Sequence, residues 1–345
     1  MSIRFTVRTM TAATAQTGPD DALTRKAVAT TVGVVGAVFV ALLAGFENPY
    51  WAGLSALVIA NSDRDELFTK GLLRIAGTFV GVFAGYLAAQ LLAGFAIGQA
   101  GAAMLAAGIA IYGRQRSAFA YAWFYGGVTF LLVIVASIGD PGGLYDFAQN
   151  RCYEIVTGVS VATLASWALG PGAGGTTRIV SHPSSVPPAD ARRLAYAAAL
   201  GTLAILFAWT TFSLPSLTQV IVSSLIVIDA NPVATRHRSL QRIIGCFIGG
   251  AAGLAVIGID ATGFVWWTAA LTLGVYLSAR IHLGGSANAY IGTQTAIAFL
   301  VTLVDSGPPT SIVPPVQRLV GIILGVALMS LVTWAVAGRT RGKPG

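Results

Sequence analysis

Residues 74–85 read RIAGTFVGVFAG, and residues 242–253 read RIIGCFIGGAAG. Arginine, isoleucine, phenylalanine and three glycines stand at the same places in both segments, 168 residues apart (242 − 74 = 168). The glycines of each segment lie four residues apart, so on a helix they share one face. An apolar helix with such a face can bring its backbone against a neighbouring membrane helix. Each segment therefore predicts a tightly packed membrane helix with one arginine, Arg74 or Arg242, at its mouth.

The composition independently indicates a membrane protein. Hydrophobic residues make up 55% of the 345 residues and charged residues only 10%, and the mean hydropathy is +0.74. Soluble proteins carry about 25% charged residues. The apolar runs are about 20 residues long, the length with which a helix crosses a bilayer, and they do not alternate as barrel strands do. We therefore expect an all-α, polytopic integral membrane protein. Its partner is the lipid bilayer, and we expect no binding of nucleic acid.

The chain divides into two similar halves. The predicted spans lie at about residues 27–46, 51–60, 71–92, 95–112, 118–138 and up to 169, and then at 194–212, 217–228, 240–257, 264–277, 287–304 and 316–336. The second and eighth spans are short, and the sequence does not decide whether they cross fully. We predict a tail at 1–24, six-helix repeats at 25–170 and 192–338, a Gly/Pro/Ser linker at 171–191, and a C-terminal tail at 339–345.

Further matches extend the duplication over both halves. Residues 117–121 (SAFAY) correspond to residues 286–290 (SANAY). The order Arg151, Gly158, Trp167 returns as Arg318, Gly325, Trp334. Because each half holds six spans, an even number, both halves point the same way and form parallel repeats.

The distribution of lysine and arginine predicts the orientation. With a cytoplasmic N-terminus, 19 of the 21 basic residues fall in the inner tails and loops, and only Arg151 and Arg318 fall outside. Such a bias is typical of cytoplasmic segments. We therefore expect both termini to lie in the cytoplasm.

The two outer arginines are the first candidate site. A lone arginine at the bilayer centre costs at least ~2.5–3.5 kcal/mol, so something should compensate for it. Glu154 lies three residues after Arg151 and can pair with it on one helix face, whereas the second half has Gly321 at that place. Two interpretations remain open: the arginines reach to the interface or brace packing, or they form an anion site on a permeation path.

Arg74 and Arg242 form the second candidate site, at the inner side. They either mark the cytoplasmic interface, as arginines commonly do, or form an electropositive entrance that gathers anions. The planar guanidinium group suits a carboxylate. Tyr121 and Tyr290 could stack on an aromatic substrate, although interfacial tyrosines are common.

Glu154 and Asp229 are candidates for proton coupling, or else simply paired acids. The sequence has no phosphate-binding Gly-x-x-x-x-Gly-Lys-Ser/Thr loop and no metal-ligand or nucleophile pattern. We therefore predict no cofactor, no metal and no enzymatic activity.

The segment PYWA at residues 49–52, the following polar loop and GLLRIAGT at residues 71–78 resemble the fusaric acid resistance (FUSC) and aromatic acid exporter family. The resemblance implies a bacterial inner-membrane exporter of organic, often aromatic, carboxylates, often accompanied by a periplasmic adaptor subunit. Many members of the family carry a large soluble cytoplasmic region, and we expect this protein to depart from them in lacking it.

The sequence thus predicts an exporter of small organic anions that is driven by protons or by the membrane potential. A homo-oligomer is one possible assembly. A passive organic-anion channel and a non-transporting assembly subunit are the alternatives.

Overall fold

The described part of the chain is built from α-helices. The computed structural model describes residues 19–60, 64–170, 186–229, 232–260 and 263–338, and these ranges contain helices and no strand. The helices are α1 (Pro19–Leu43), α2 (Tyr50–Ile59), α3 (Arg64–Leu91), α4 (Ala96–Arg116), α5 (Ala120–Gly139), α6 (Leu144–Leu169), α7 (Pro188–Phe212), α8 (Leu217–Ile226), α9 (Pro232–Gly258), α10 (Phe264–Leu283), α11 (Ala289–Leu303) and α12 (Val313–Gly338). The predicted all-α class is confirmed. Most of the predicted N-terminal tail, residues 171–185 of the linker and the C-terminal tail lie outside the described residues.

Two lengths of helix occur in this bundle. Within the described ranges, nine helices are long and apolar enough to cross a membrane, and α2, α8 and α11 are shorter. The helices α2 and α8 have 10 residues each, which is about 15 Å, roughly half of the ~30 Å hydrocarbon layer. The protein is therefore a polytopic membrane protein whose two shortest helices cannot cross the layer as helices alone.

The short helix α2 lies in the interior of the bundle. Nine of its ten residues are buried, because α1, α6 and α11 pack around it. The equivalent helix α8 packs against α5, α7 and α12. Non-helical backbone at membrane depth is tolerated only where protein or a water-filled cavity surrounds it, so the ends of these short helices belong inside the bundle.

Both halves use the same helix pairs. In the first half α1 packs on α2 and α6, α6 on α2 and α3, and α5 on α3 and α4; the same pairs recur among α7 to α12. The halves meet through α4 with α7 and α10 with α1, and through α5 with α8 and α11 with α2. This shared pairing is the arrangement expected of a duplicated six-helix unit.

Glycines set the closest helix contacts, as the repeated motif predicts. A Cβ added at Gly77 would lie 2.6 Å from the carbonyl oxygen of Ala122, so α3 rests on the backbone of α5. In the second half, a Cβ at Gly245 would lie 2.7 Å from the carbonyl oxygen of Ile291, so α9 rests on α11 in the same way. The glycine faces therefore serve packing.

Two long helices begin earlier than the apolar pattern predicts. The predicted spans 71–92 and 240–257 are the apolar parts of α3 and α9, which begin at Arg64 and Pro232. The polar stretch that we expected to be a loop forms the first turns of α3, where Lys70 pairs with Glu66 at 2.8 Å. Hydropathy marks where lipid begins, and a helix can continue beyond it into water. Arg74 and Arg242 are consequently well inside their helices, and the prediction that they stand at helix mouths is wrong.

Helices α1 and α7 likewise begin early, at Pro19 and Pro188, inside the ranges assigned to the N-terminal tail and to the linker.

Candidate functional site

The two inner arginines are buried and make the same contact. Arg74 is 4% exposed, and its Nη2 donates to the Ser55 hydroxyl at 3.1 Å. Arg242 is 1% exposed, and its Nη2 donates to the Ser223 hydroxyl at 2.8 Å. Each arginine thus connects a long glycine-faced helix to a short buried helix, α2 or α8. Such burial disfavours the interpretation that they only mark the cytoplasmic interface.

The second contact of each inner arginine differs between the halves. The Arg74 Cζ lies 4.0 Å from the centroid of the Tyr125 ring on α5. The Arg242 Nη1 instead donates to the Gln294 Oε1 on α11. Tyr125 and Gln294 occupy equivalent places of the two repeats, four residues after Tyr121 and Tyr290. The sequence does not mark either residue, because neither carries a charge or belongs to the repeated motif.

The two predicted tyrosines lie in different surroundings. The Tyr121 ring is 4.6 Å from the Tyr125 ring, its hydroxyl donates to the Val58 carbonyl at 3.5 Å, and it lies close to Arg74. Tyr290 is half-buried at the start of α11 and lies within electrostatic range of Arg114, a residue of the other half. The structure thus places Tyr121 beside Arg74, whereas Tyr290 lies near Arg114.

Arg114 lies in a cluster of charged and aromatic residues that no sequence motif marks. Its Cζ lies 4.7 Å from the centroid of the Phe124 ring. The predicted coupling residue Asp229 pairs with Arg238 at 2.7 Å, and both charges act on Arg114. Arg114 belongs to the first half, and Asp229 and Arg238 belong to the second, so the cluster brings charges of both halves together. Only the tertiary structure reveals it.

The predicted pair of Arg151 and Glu154 is present on α6. The Arg151 Nη2 lies 3.4 Å from the Glu154 Oε2, and the Glu154 Oε1 accepts the backbone N–H of Asn48 at 3.1 Å. The Arg151 Cζ also lies 4.3 Å from the centroid of the Trp51 ring. Because Arg151 is only 2% exposed, it does not reach out to the interface.

Arg318 has a partner that its own helix cannot supply. The place equivalent to Glu154 holds Gly321, but the Arg318 Nη2 donates to Asp305 Oδ1 at 3.0 Å from the loop before α12. Its Nη1 donates to the Val301 carbonyl at 3.0 Å. The charge of Arg318 is therefore compensated, as expected for a membrane arginine, but by a carboxylate in the loop before its helix.

Three of the four predicted arginines meet the single helix α2. The Arg318 Cζ lies 4.9 Å from the Tyr50 ring centroid, Arg151 lies over the adjacent Trp51, and Arg74 binds Ser55 one turn further on. The fourth arginine, Arg242, meets α8. Since Arg318 belongs to the second half and α2 to the first, this contact also crosses between the repeats. In this conformation the guanidinium groups pack against protein.

A groove between α3 and α4, floored by α5, has different chemistry. Its volume is about 540 Å³, and its lining is apolar, with small residues such as Gly81, Ala106 and Gly126. None of the candidate site residues lines it. The groove therefore offers apolar contacts and no charged group.

Comparison with known proteins agrees with the resemblance. Residues 27–201 match the model of the "Fusaric acid resistance protein family", and residues 199–332 match that of "Fusaric acid resistance protein-like". Over 150 residues, 39% of the chain, the protein is 28% identical to a "p-hydroxybenzoic acid efflux pump subunit AaeB" of Musicola paradisiaca (strain Ech703). Over 158 residues, 43% of the chain, it is 29% identical to the protein of that name from Escherichia coli O1:K1 / APEC.

These matches cover 23% and 24% of the two relatives, so the chain spans only about a quarter of their length. No solved structure matches. The first family model covers half of the chain, and the second covers most of the rest. The protein therefore belongs to the fusaric acid resistance protein family.

Proposed function

We propose that this protein exports small aromatic carboxylates from the cytoplasm across the bacterial inner membrane, as a secondary transporter. The names of its relatives describe subunits of efflux pumps for p-hydroxybenzoic acid, which is an aromatic carboxylic acid. A membrane bundle of this family with buried arginines fits the same class of substrate.

The observation that carries the proposal is the burial of cationic groups with unused donors. Within the described residues, Nε and Nη1 of Arg74, Nε and Nη1 of Arg151, and Nε of Arg242 have no hydrogen-bond partner. Burying a polar donor without a partner costs about 1–3 kcal/mol, and more for a charged group. A carboxylate is the ligand that guanidinium donors bind most directly. An anion that visits these groups would therefore relieve an unfavourable arrangement.

The helix α2 supports a route between two anion sites. Ser55 contacts the inner Arg74, and Tyr50 and Trp51 contact the outer Arg318 and Arg151. Because α2 is about 15 Å long, the charges at its two ends are within one short step for a small acid. At a negative-inside potential, each exported negative charge gains ~2.3 kcal/mol per 100 mV, so the route favours outward movement.

Glu154 is the better of the two candidates for proton coupling. It is 0% exposed and faces Arg151 on the proposed route, whereas the side chain of Asp229 is 22% exposed and pairs with the exposed Arg238. Protonation of Glu154 would release Arg151 to bind a carboxylate, which links proton entry to anion exit. A periplasmic adaptor subunit, as in the resembled family, and a second copy of the chain are the partners that fit this proposal.

The orientation in the proposal rests on the basic residues. The positive-inside bias puts both termini in the cytoplasm, and Arg74 and Arg114 then form the cytoplasmic side of the route.

Efflux from proteoliposomes tests the proposal. Vesicles containing purified protein would be loaded with radiolabelled 4-hydroxybenzoate, and release would be measured with and without an inward-directed proton gradient. We expect saturable release that the gradient accelerates. Arg74→Gln should lower the rate about ten- to hundredfold, because a hydrogen bond to a charged group contributes about 1.5–3 kcal/mol.

The matched control is Arg192→Gln, which removes a charge from an exposed position at the start of α7. It should leave the rate within about twofold. Unitary currents that ignore the proton gradient would identify a channel instead. The absence of any release from vesicles with folded protein would leave only the assembly-subunit interpretation.

A further inference from the structure

Three equivalent positions of α5 and α11 carry different chemistry. In both repeats these positions lie at the tyrosine of the SA-A-Y pattern and three and four residues after it, and the last of them contacts the inner arginine, Arg74 or Arg242. The pairs are Tyr121 with Tyr290, Phe124 with Thr293, and Tyr125 with Gln294. Two of the three aromatic residues in the first half are thus replaced by hydrogen-bonding residues in the second.

In the first half, the aromatic rings lie between two arginines. The Tyr125 ring is 4.0 Å from the Arg74 Cζ and 5.1 Å from the Phe124 ring, and the Phe124 ring is 4.7 Å from the Arg114 Cζ. The Tyr121 ring lies 4.6 Å from the Tyr125 ring. Guanidinium groups over aromatic faces are attracted by the ring quadrupole but form no hydrogen bond there.

In the second half, hydrogen bonds take the place of these ring contacts. Gln294 accepts from Arg242, and the Thr293 hydroxyl is bonded to the His282 Nδ1 at 2.7 Å. His282 stands at the place equivalent to Arg114. The inner cationic site of this half therefore has one arginine, and both terminal nitrogens of that arginine already have partners, Gln294 and Ser223.

Most of the guanidinium donors that lack a hydrogen-bond partner at the two inner sites belong to the first half. Among the described residues, Nε and Nη1 of Arg74 and Nη1 of Arg114 are buried without a hydrogen-bond partner. In Arg242 only Nε is in that condition. Of the guanidinium donors at the two inner sites, three are thus unused beside the aromatic cluster of the first half, and one is unused beside the amide of the second.

We propose that the two repeats have divided roles: Arg74 with Tyr121 and Tyr125 binds the aromatic carboxylate, and Arg242 with Gln294 is a structural cross-link. The inference deepens the export function proposed above and rests on it. The carboxylate takes the Arg74 donors that Ser55 leaves unused, and the aromatic ring of the substrate stacks on the Tyr121–Tyr125 pair. Arg114 adds a second positive charge next to the cluster.

The stacking step gives the site its selectivity. Offset or edge-to-face aromatic pairs are favoured beyond their buried area, and a saturated ring of the same size lacks this term. The charge of Arg74 attracts both kinds of acid alike. A site of this composition should therefore prefer an aromatic acid over a cycloaliphatic acid of equal charge, and the preference should depend on Tyr125.

Equilibrium binding to the full chain in lipid nanodiscs tests the proposal with two probes, radiolabelled benzoate and radiolabelled cyclohexanecarboxylate. Tyr125→Gln copies the residue of the second half. We expect it to raise the Kd for benzoate about five- to tenfold, in line with the energy of an aromatic pair, and to change the Kd for cyclohexanecarboxylate less than twofold. Tyr125→Phe keeps the ring and should keep the benzoate affinity.

Gln294→Met is the matched variant in the second repeat. It should leave both Kd values within about twofold, although it lowers the thermal stability by removing the bond to Arg242. Each variant would be checked for its size-exclusion elution volume, so that a folding defect is not read as a binding defect. The Tyr125→Phe variant serves the same purpose, because it keeps the volume and the ring at that position.

Three outcomes would overturn the division of roles. Tyr125→Gln could raise the Kd values of both acids by the same factor, or Gln294→Met could raise the Kd for benzoate as much as Tyr125→Gln does. The third outcome is that the wild type binds neither acid. Benzoate binding that depends on Tyr125 in a protein that releases no acid from vesicles would support the site but contradict the export function. The binding and efflux measurements therefore separate the two proposals.

Discussion

The first repeat surrounds its inner arginine with aromatic rings, whereas the second surrounds the equivalent arginine with an amide and a hydroxyl group. Arg74 lies over Tyr125, and Arg242 donates to Gln294. Both arginines nevertheless donate to a serine of the short buried helix at the same place, Ser55 or Ser223. The difference shows that one duplicated scaffold can hold a charge in the same position while changing what that charge is able to bind.

The outer ends differ in the same manner. Arg151 finds its carboxylate on its own helix, at Glu154, and Arg318 finds one in the preceding connection, at Asp305. One ion pair is fully buried, and the other is partly exposed. The two halves thus share their helix packing but differ in the surroundings of their arginines, and experiments should test these two points separately.

The largest expected effect concerns the scaffold, where the halves should behave alike. A Cβ at Gly158 would overlap the carbonyl oxygen of Ala52, and a Cβ at Gly325 would overlap that of Val220. We expect Gly158→Ala and Gly325→Ala each to destabilise the protein by about 3 kcal/mol, since neither helix backbone can give way cheaply. The apparent Tm in detergent, followed by intrinsic fluorescence, would measure this.

Gly101→Ala is the control for the scaffold variants. It lies within α4, and a Cβ there would meet nothing within 4 Å. The change should not lower the Tm, and the helix preference of alanine favours it by up to about 1 kcal/mol. If only one of the two glycine variants lowered the Tm, the halves would not share a common packing requirement.

A smaller and unequal effect is expected at the outer ion pairs. Glu154→Gln leaves Arg151 buried beside a neutral amide whose oxygen can still accept a hydrogen bond, which costs about 1–3 kcal/mol, and should abolish the response of efflux to a proton gradient. Asp305→Asn should cost less than about 1 kcal/mol, because the pair is partly exposed and Arg318 keeps the Val301 carbonyl. Tm and gradient-driven release of 4-hydroxybenzoate would be compared. Similar responses of the two variants would remove the distinction between the outer sites.

The smallest effect is expected at the inner surface. Lys70 pairs with Glu66 along α3, whereas the equivalent Arg238 pairs with Asp229 at the end of α8. These pairs are partly exposed, so Lys70→Gln and Asp229→Asn should each change stability by less than about 1 kcal/mol. We expect efflux by Asp229→Asn to keep its proton dependence. A loss of that dependence would transfer the coupling role from Glu154 to Asp229.

Much of the fold could be predicted because membrane helices leave a strong signal in the sequence. Long apolar runs located the nine long helices that the described residues contain, and the repeated glycines predicted which faces pack closely. The pattern failed at the polar ends of α3 and α9, where helix continues beyond the apolar run. It therefore misplaced Arg74 and Arg242 at helix mouths, although both are buried.

The site could be predicted only in part. Glu154 was found as the partner of Arg151 because three residues on a helix bring two side chains together. Asp305, Ser55, Tyr125 and Gln294 were missed, because each reaches its arginine from a different helix or loop and none stands at a diagnostic spacing. Such contacts depend on how helices pack, which hydropathy does not record.

The sequence by itself determined that this chain is a helical bundle in a membrane, because the burial of backbone polar groups in lipid permits few other solutions. It also determined that each repeat carries an arginine at both ends. The tertiary structure alone decided that three of these arginines meet on the buried helix α2, and which neighbours each guanidinium group has. Hydrophobic patterning is a property of single segments, whereas the surroundings of a buried charge are set by residues far apart in the chain.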